Sequence, residues 1–218
     1  VGSAEVNVID VGAGNNTVDG GGGDDTILTG DGNNSVLGGA GNDSVVAGSG
    51  ADVVAGGAGN DTLSGGAGND ILDYSTNTDL QGVVVNLATG LASNDGLGGA
   101  DSVSAFETVQ GGSGNDQITG DAGNNLLLGG LGGDTLLGGL GADTLQGGVG
   151  DDSLSGGDGL DNFVFSLTPG DHIDVIRIDV APLRDAPVLR EMPTLKQIND
   201  LDAREFFKQP GVALAHEK

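Results

Sequence analysis

From Val11 the chain advances in steps of nine. VGAGNNTVD, GGGGDDTIL, TGDGNNSVL, GGAGNDSVV, AGSGADVVA, GGAGNDTLS and GGAGNDILD follow one another without a gap to Asp73. A second block, GGSGNDQIT, GDAGNNLLL, GGLGGDTLL, GGLGADTLQ, GGVGDDSLS and GGDGLDNFV, runs from Gly111 to Val164. Residues 2–10 continue the first register upstream in decayed form, and residues 102–110 (SVSAFETVQ) read as a degenerate strand feeding the second block. A unit this short cannot bury a face alone, so a fixed period forces the units to stack on one another.

Within each unit the first six positions read G-G-x-G-x-D. Gly at positions 1, 2 and 4 admits backbone angles of positive φ and lets carbonyls approach a ligand closely. Positions 7–9 predict a short strand of about three residues, whose middle side chain faces away from its neighbours. That middle residue is apolar throughout: Val18, Ile27, Val36, Val45, Val54, Leu63 and Leu72, then Ile118, Leu127, Leu136, Leu145, Leu154 and Phe163. Two units therefore make one coil of 18 residues, with two strands and two turns. The inward aliphatics form a thin stacked core.

Composition narrows the options further. Of 218 residues 45 are Gly, which leaves little material for a conventional core. Gly is not every third residue and Pro numbers five, so the chain is not collagen-like. There is no Cys, hence no disulfide and no thiolate metal site. No apolar run approaches the ~20 residues of a membrane span. The chain opens at Val1 without a cleavable signal, and reads as a fragment of something longer. The formal net charge is −25, and all seven Lys and Arg lie at or beyond position 177. The first 176 residues thus hold no internal counter-charge. This argues against nucleic acid and anionic membranes as partners and for cations.

Position 6 of each turn is acidic or its amide: Asn16, Asp25, Asn34, Asp43, Asp52, Asp61 and Asp70, then Asp116, Asn125, Asp134, Asp143, Asp152 and Asp161. Turns 18 apart stack on one edge at about 4.8 Å. Carboxylates that close repel unless a cation separates them. Oxygen donors without thiol or imidazole, on flexible Gly backbone, suit Ca²⁺ better than Zn²⁺, Cu²⁺ or Mg²⁺.

These thirteen copies of GGxGxD-plus-strand resemble the RTX (hemolysin-type calcium-binding nonapeptide repeat) family. The resemblance implies an all-β fold, a right-handed parallel β-roll in two blocks, with a short C-terminal extension that is partly helical. It also implies a Ca²⁺ between two turns of the same edge. Carbonyls 2 and 4 and the Asp come from one turn; carbonyls 1 and 3 and the Asp come from the turn 18 residues later. Carried over, one site uses Gly21, Gly23 and Asp25 with Gly38, Ala40 and Asp43. The next uses Gly39, Gly41 and Asp43 with Gly56, Ala58 and Asp61. On the other edge Gly48, Gly50 and Asp52 meet Gly65, Ala67 and Asp70. In the second block Gly112, Gly114 and Asp116 meet Gly129, Leu131 and Asp134. Gly130, Gly132 and Asp134 meet Gly147, Val149 and Asp152. Gly139, Gly141 and Asp143 meet Gly156, Asp158 and Asp161. Asn16 with Asn34 lacks both charges and is expected to bind weakly or not at all; Asn34 with Asp52, and Asn125 with Asp143, are intermediate. Pairs 18 apart allow up to nine calcium ions.

The remaining segments divide as 1–73 for the first roll block, 74–110 for inter-block strands and loop, and 111–164 for the second block. Residues 165–179 form an apolar cap and 180–218 a C-terminal extension. In 74–110, Val83, Val85 and Leu87 alternate on one side, and the segment either adds coils or separates two rolls. Tyr74 and Phe106 are expected to pack against open roll ends. Asp161, Asp171 and Asp174 near the cap are further oxygen donors, more simply read as solvated surface. In the extension, Thr194 caps an expected helix from Leu195 to about Gln209. The resemblance makes this segment either a type I secretion signal or a helix docked on the roll or a partner.

Neither an HExxH helix nor a GxSxG elbow occurs, and the only histidines are His172 and His216. The expected function is therefore a non-catalytic calcium-binding module of a secreted or cell-surface bacterial protein, of adhesin or surface-layer type. Its expected partners are calcium ions, the type I secretion machinery and other surface-protein subunits. The alternative is the C-terminal domain of an exoenzyme (protease, lipase or alginate epimerase) whose active site lies upstream. Ice binding is disfavoured, because the outward Thr ladder is too interrupted.

Overall fold

A computed structural model of the chain describes residues 1–77, 81–165 and 175–177. Among these residues every regular element is a strand. The first block holds β1 (Val8–Asp10), β2 (Thr17–Gly22), β3 (Thr26–Leu28), β4 (Ser35–Ala40), β5 (Ser44–Ser49), β6 (Val53–Ala58), β7 (Thr62–Ala67) and β8 (Ile71–Asp73). Between the blocks come β9 (Val84–Asn86), β10 (Leu91–Asn94), β11 (Asp101–Ser104) and β12 (Thr108–Gln110). The second block holds β13 (Gln117–Thr119), β14 (Leu126–Leu131), β15 (Thr135–Leu140), β16 (Thr144–Val149), β17 (Ser153–Asp158) and β18 (Asn162–Phe163), and β19 (Val175–Arg177) follows. The expected C-terminal helix, and Asp171 and Asp174, lie outside the described residues.

The strands form the two walls of a parallel β-solenoid of about nine turns. One wall runs β2-β4-β6-β8-β12-β14-β16-β18; the other runs β1-β3-β5-β7-β11-β10-β9-β13-β15-β17-β19. Within the blocks, neighbours are offset by one 18-residue coil, as in Val36↔Val54 and Leu136↔Leu154. The inward residues of β2 to β17 are buried in a single core, from Val18 to Leu154, and Ile9 and Phe163 pack against it. Burying one such aliphatic contributes about 1.5–3 kcal/mol. At one per nine residues that is thin cover for a backbone whose ordering costs about 1–2 kcal/mol per residue.

Many strands are twice the expected length. β4, for example, continues through positions 1–3 of the next unit, with Gly39↔Gly57 and Ala40↔Ala58 in register. With so little side chain at these positions, the turn backbone itself can stack at strand spacing.

The two blocks belong to the same pair of walls. β8 pairs directly with β12, Leu72 facing Val109, so one wall has no interruption. On the other wall β7 pairs with β11 and β9 with β13, while β10 lies antiparallel between β11 and β9. Between the blocks that wall thus holds two more strands than its counterpart, about 10 Å at the usual strand spacing. Val83, Val85 and Ala92 supply its inward side chains. Tyr74 and Phe106 do not cover open ends, because the roll is continuous here; both are buried within the core.

Candidate metal centre

The turns fall on two edges. Those entering β3, β5, β7, β13, β15 and β17 carry Asp25, Asp43, Asp61, Asp116, Asp134 and Asp152. Those entering β2, β4, β6, β8, β14, β16 and β18 carry Asn16, Asn34, Asp52, Asp70, Asn125, Asp143 and Asp161. Most of these side chains are buried. Each edge is tied by the same bond: the backbone N–H at position 6 donates to Oδ1 of the position-6 residue one coil on. Asp25 donates to Asp43, Asp43 to Asp61, Asp52 to Asp70, Asp116 to Asp134 and Asp134 to Asp152, all at 2.8 Å; Asp143 donates to Asp161 at 3.0 Å. Every pair drawn from the sequence is therefore a pair of stacked turns. A second bond crosses the stack, from the position-4 N–H to the position-3 carbonyl of the next coil. It joins Gly23 to Ala40, Gly41 to Ala58, Gly50 to Ala67, Gly132 to Val149 and Gly141 to Asp158.

The Asn turns reveal what lies inside. The Asn34 side-chain amide donates to the carbonyls of Gly32 (2.9 Å) and Gly30 (3.5 Å) in its own turn. It also reaches the Ala47 carbonyl (3.4 Å) and Asp52 Oδ1 (3.0 Å) in the next coil. These are positions 4, 2, 1 and 6. Asn16 does the same with Gly14, Gly12 and Thr29. The turn is thus a cradle of convergent acceptors, with the amide nitrogen at its centre.

In the Asp turns other than that of Asp116, the cradle carbonyls meet a further acceptor in place of the amide. Oδ2 of Asp25, Asp43, Asp52, Asp61, Asp70, Asp134 and Asp143 is buried and meets no hydrogen-bond donor among the described residues. A Cβ placed on Gly38 would lie 2.5 Å from both Asp43 Oδ2 and the Gly56 carbonyl, so these two acceptors converge on one point. Position 1 is Gly at most turns for this steric reason and not for its φ, while Val11, Thr29 and Ala47 stand there in three others. The left-handed angles belong to positions 2 and 4, as in Gly39 (φ 122°) and Gly41 (φ 132°).

Burying carboxylates among acceptors holds their protons. Burial pushes Asp61 up to about 7, aided by repulsion from Asp101, Asp43 and Asp95 and opposed by the Asp43 N–H. Burial likewise lifts Asp134 to about 7, with Asp116 and Asp152 adding repulsion. Asp43, Asp70, Asp116 and Asp143 are raised by burial too. A buried anion without a counter-charge is costly, and a cation in the cradle removes that cost. The donor set of carboxylate and carbonyl oxygens fits a hard divalent ion. Among the described residues no three His, Cys, Asp or Glu side chains form a metal cluster, so backbone carbonyls must supply much of any coordination.

Two further ladder members lie between the blocks, Asp101 outside the nine-residue spacing and Glu107 in phase with the second block, 18 residues before Asn125. The Asp61 N–H donates to Asp101 Oδ1 (3.0 Å) and the Asp70 N–H to Glu107 Oε2 (2.9 Å), across steps of 40 and 37 residues. Asp101 and Glu107 thus take the position-6 places between the blocks. The available signal was local: Asp101-Ser-Val-Ser and Glu107-Thr-Val-Gln repeat the acid-plus-strand pattern of Asp43-Ser-Val-Val. Asp116 differs from its equivalents, since its Oδ2 accepts the Gly112 N–H at 2.9 Å.

A family model described as the RTX calcium-binding nonapeptide repeat matches the chain in four copies, over residues 1–36, 37–72, 103–136 and 137–165. The chain belongs to the RTX family. No curated protein matches it. Its repeats are calcium-binding RTX repeats, and their β-roll is a structural calcium-binding module, not a catalytic fold.

Proposed function

We propose that this RTX roll is a folding switch, exported unfolded and ordered outside the cell by calcium. One observation carries the reading. At successive turns of both edges a buried Asp Oδ2 faces carbonyl oxygens and no donor. The pairs Asp25/Asp43, Asp43/Asp61, Asp52/Asp70, Asp116/Asp134, Asp134/Asp152 and Asp143/Asp161, with the position-1 to position-4 carbonyls named above, are the proposed ligand sets. Bound calcium supplies the positive charge and the high oxygen coordination that these acceptors lack. Without it, a chain carrying −25 with a thin core does not repay its ordering entropy. The Asn16/Asn34 pair does not need the ion, since its amides already satisfy the cradle.

The module belongs on this reading to a secreted or cell-surface bacterial protein of adhesin or surface-layer type that uses type I export. A calcium titration of the chain followed by circular dichroism, with magnesium as control, tests the switch. Little structure in chelator and a cooperative β-signal in calcium are expected. Equal β-content in chelator overturns the coupling of folding to binding.

A further inference from the structure

The first block ends with half a cradle. Gly57, Gly59 and Asp61 occupy positions 2, 4 and 6 of a turn whose partner 18 residues on is absent from the repeat pattern. The roll nevertheless continues. The turn that stacks on this one comprises residues 95–101, reached by a step of 40 residues, and it lies outside every matched repeat copy. The stacking repeats that of the regular coils: the Ala100 N–H donates to Asn60 Oδ1 (3.0 Å) and the Asp61 N–H to Asp101 Oδ1 (3.0 Å). The glycine at position 4 of the new turn is Gly99.

This turn brings a carboxylate that regular turns lack. Asp95 is completely buried. Its Oδ1 accepts the N–H groups of Leu97 (2.7 Å) and Gly99 (2.9 Å), and the Asn77 amide holds its carbonyl. Its Oδ2 meets no donor, and neither does Oδ2 of Asp61. Asp95 Oδ2 and the Gly59 carbonyl both lie within 2.6 Å of the point where a Cβ on Gly99 would sit. The neighbouring Asp101 is already engaged, its Oδ2 accepting from the Tyr74 hydroxyl at 2.9 Å. Asp95 Oδ2 and the Gly59 carbonyl thus converge, Asp61 lies near enough for the two carboxylates to repel each other, and among the described residues no donor meets either orphaned oxygen.

We propose that Asp61, Asp95 and the Gly59 carbonyl form an additional divalent-cation site of the calcium class, outside the nonapeptide repeats, that fastens the first block to the inter-block strands. Asp101 and Tyr74 are positioning residues for it. The proposal rests on the calcium-dependent reading of the roll. Its place beside Tyr74 makes it separately observable, because the chain has one Tyr and no Trp. Terbium, a luminescent stand-in for calcium, is excited through a nearby aromatic ring.

The test is a terbium titration of the whole chain, exciting Tyr74, with calcium as competitor and equilibrium dialysis to count bound calcium. The wild-type chain is expected to give Tyr-sensitised emission that calcium displaces. Tyr74→Phe removes the sensitising ring and abolishes the emission. Asp24→Asn, at an exposed carboxylate outside the proposed ligand sets, leaves emission and calcium count in place. Asp95→Asn keeps the Oδ1 acceptor but weakens terbium at this site by roughly tenfold or more and removes one calcium from the count. An unchanged count and emission in Asp95→Asn overturns the site, as does a variant more stable than wild type in saturating calcium. Should Asp95→Asn not fold, the wild-type titration decides by itself: calcium bound without Tyr-sensitised terbium emission refutes the proposal. Absence of any calcium binding instead refutes the broader reading.

Discussion

The Asn34 turn and the Asp43 turn form the same kind of cradle, and at position 6 they differ by a single functional group. Around Asn34 the carbonyls of Gly30, Gly32 and Ala47 converge on an amide nitrogen that donates to all three. Around Asp43 the equivalent space receives a carboxylate oxygen that donates to nothing. The backbone therefore makes a cradle whatever stands at position 6. The side chain decides whether the cradle is closed from within or demands charge from outside. One oxygen exchanged for NH₂ separates a structural turn from a metal-dependent one.

That comparison can be broken at the backbone first. Gly32→Ala in the Asn turn and Gly41→Ala in the Asp turn both place a Cβ at positive φ, against the carbonyls of Gly14 and Gly23. Each is expected to cost about 2 kcal/mol or more, from left-handed strain plus overlap. Thermal melts in saturating calcium should show similar losses for the two. A loss confined to Gly41→Ala would mean that the cradles are not equivalent.

Asp134→Asn comes next, since Asp134 stands in two stacked pairs. Calcium affinity measured by calorimetry should fall at least about tenfold, a loss seen even for outer-shell partners of metals. In chelator the same variant should be the more structured, because a buried unpaired acceptor has become a donor. Losses of the same sign with and without calcium would contradict the cradle. Asn34→Asp is the converse change and the sharper one. It should add calcium-binding capacity at the Asn34/Asp52 pair, seen by equilibrium dialysis. In chelator it should destabilise by about 1–3 kcal/mol, the usual cost of a buried group left unsatisfied.

The smallest effect expected is that of pH. Asp61 and Asp134 titrate near about 7 in the fold against 3.8 in the unfolded chain, so the folded state binds more protons in that interval. Metal-free stability should therefore fall as pH rises from about 4 to about 7, and calcium affinity should rise over the same window. Circular dichroism in chelator should show more β-signal at pH 5 than at pH 8; the reverse order would show that these carboxylates are not the groups that resist folding.

Much of this was legible in the residues. The nine-step located the strands, the inward aliphatics from Val18 to Leu154 and the stacked Asp pairs, because each depends only on spacing. The inter-block segment was not legible, because strand pairing there skips 37 and 40 residues and one wall takes strands the other does not. Spacing therefore did not point to Asp101, whereas Glu107 keeps the phase of the second block, 18 residues before Asn125, with Glu where the repeat has Asp or Asn; Asp95 has no counterpart in the repeat. Tyr74 was expected at an exposed end, since a break in period resembles a terminus; its hydroxyl instead reaches Asp101 inside a continuous core.

The insertion of β9 and β10 into one wall alone has an evolutionary corollary. Both walls return to parallel pairing afterwards, and on each edge the acidic ladder resumes in step. A chain organised this way can lengthen or shorten at its middle by splicing in a folded-back segment, provided both rims come back in phase. Growth of such proteins is then limited by phase and not by which end the new residues join.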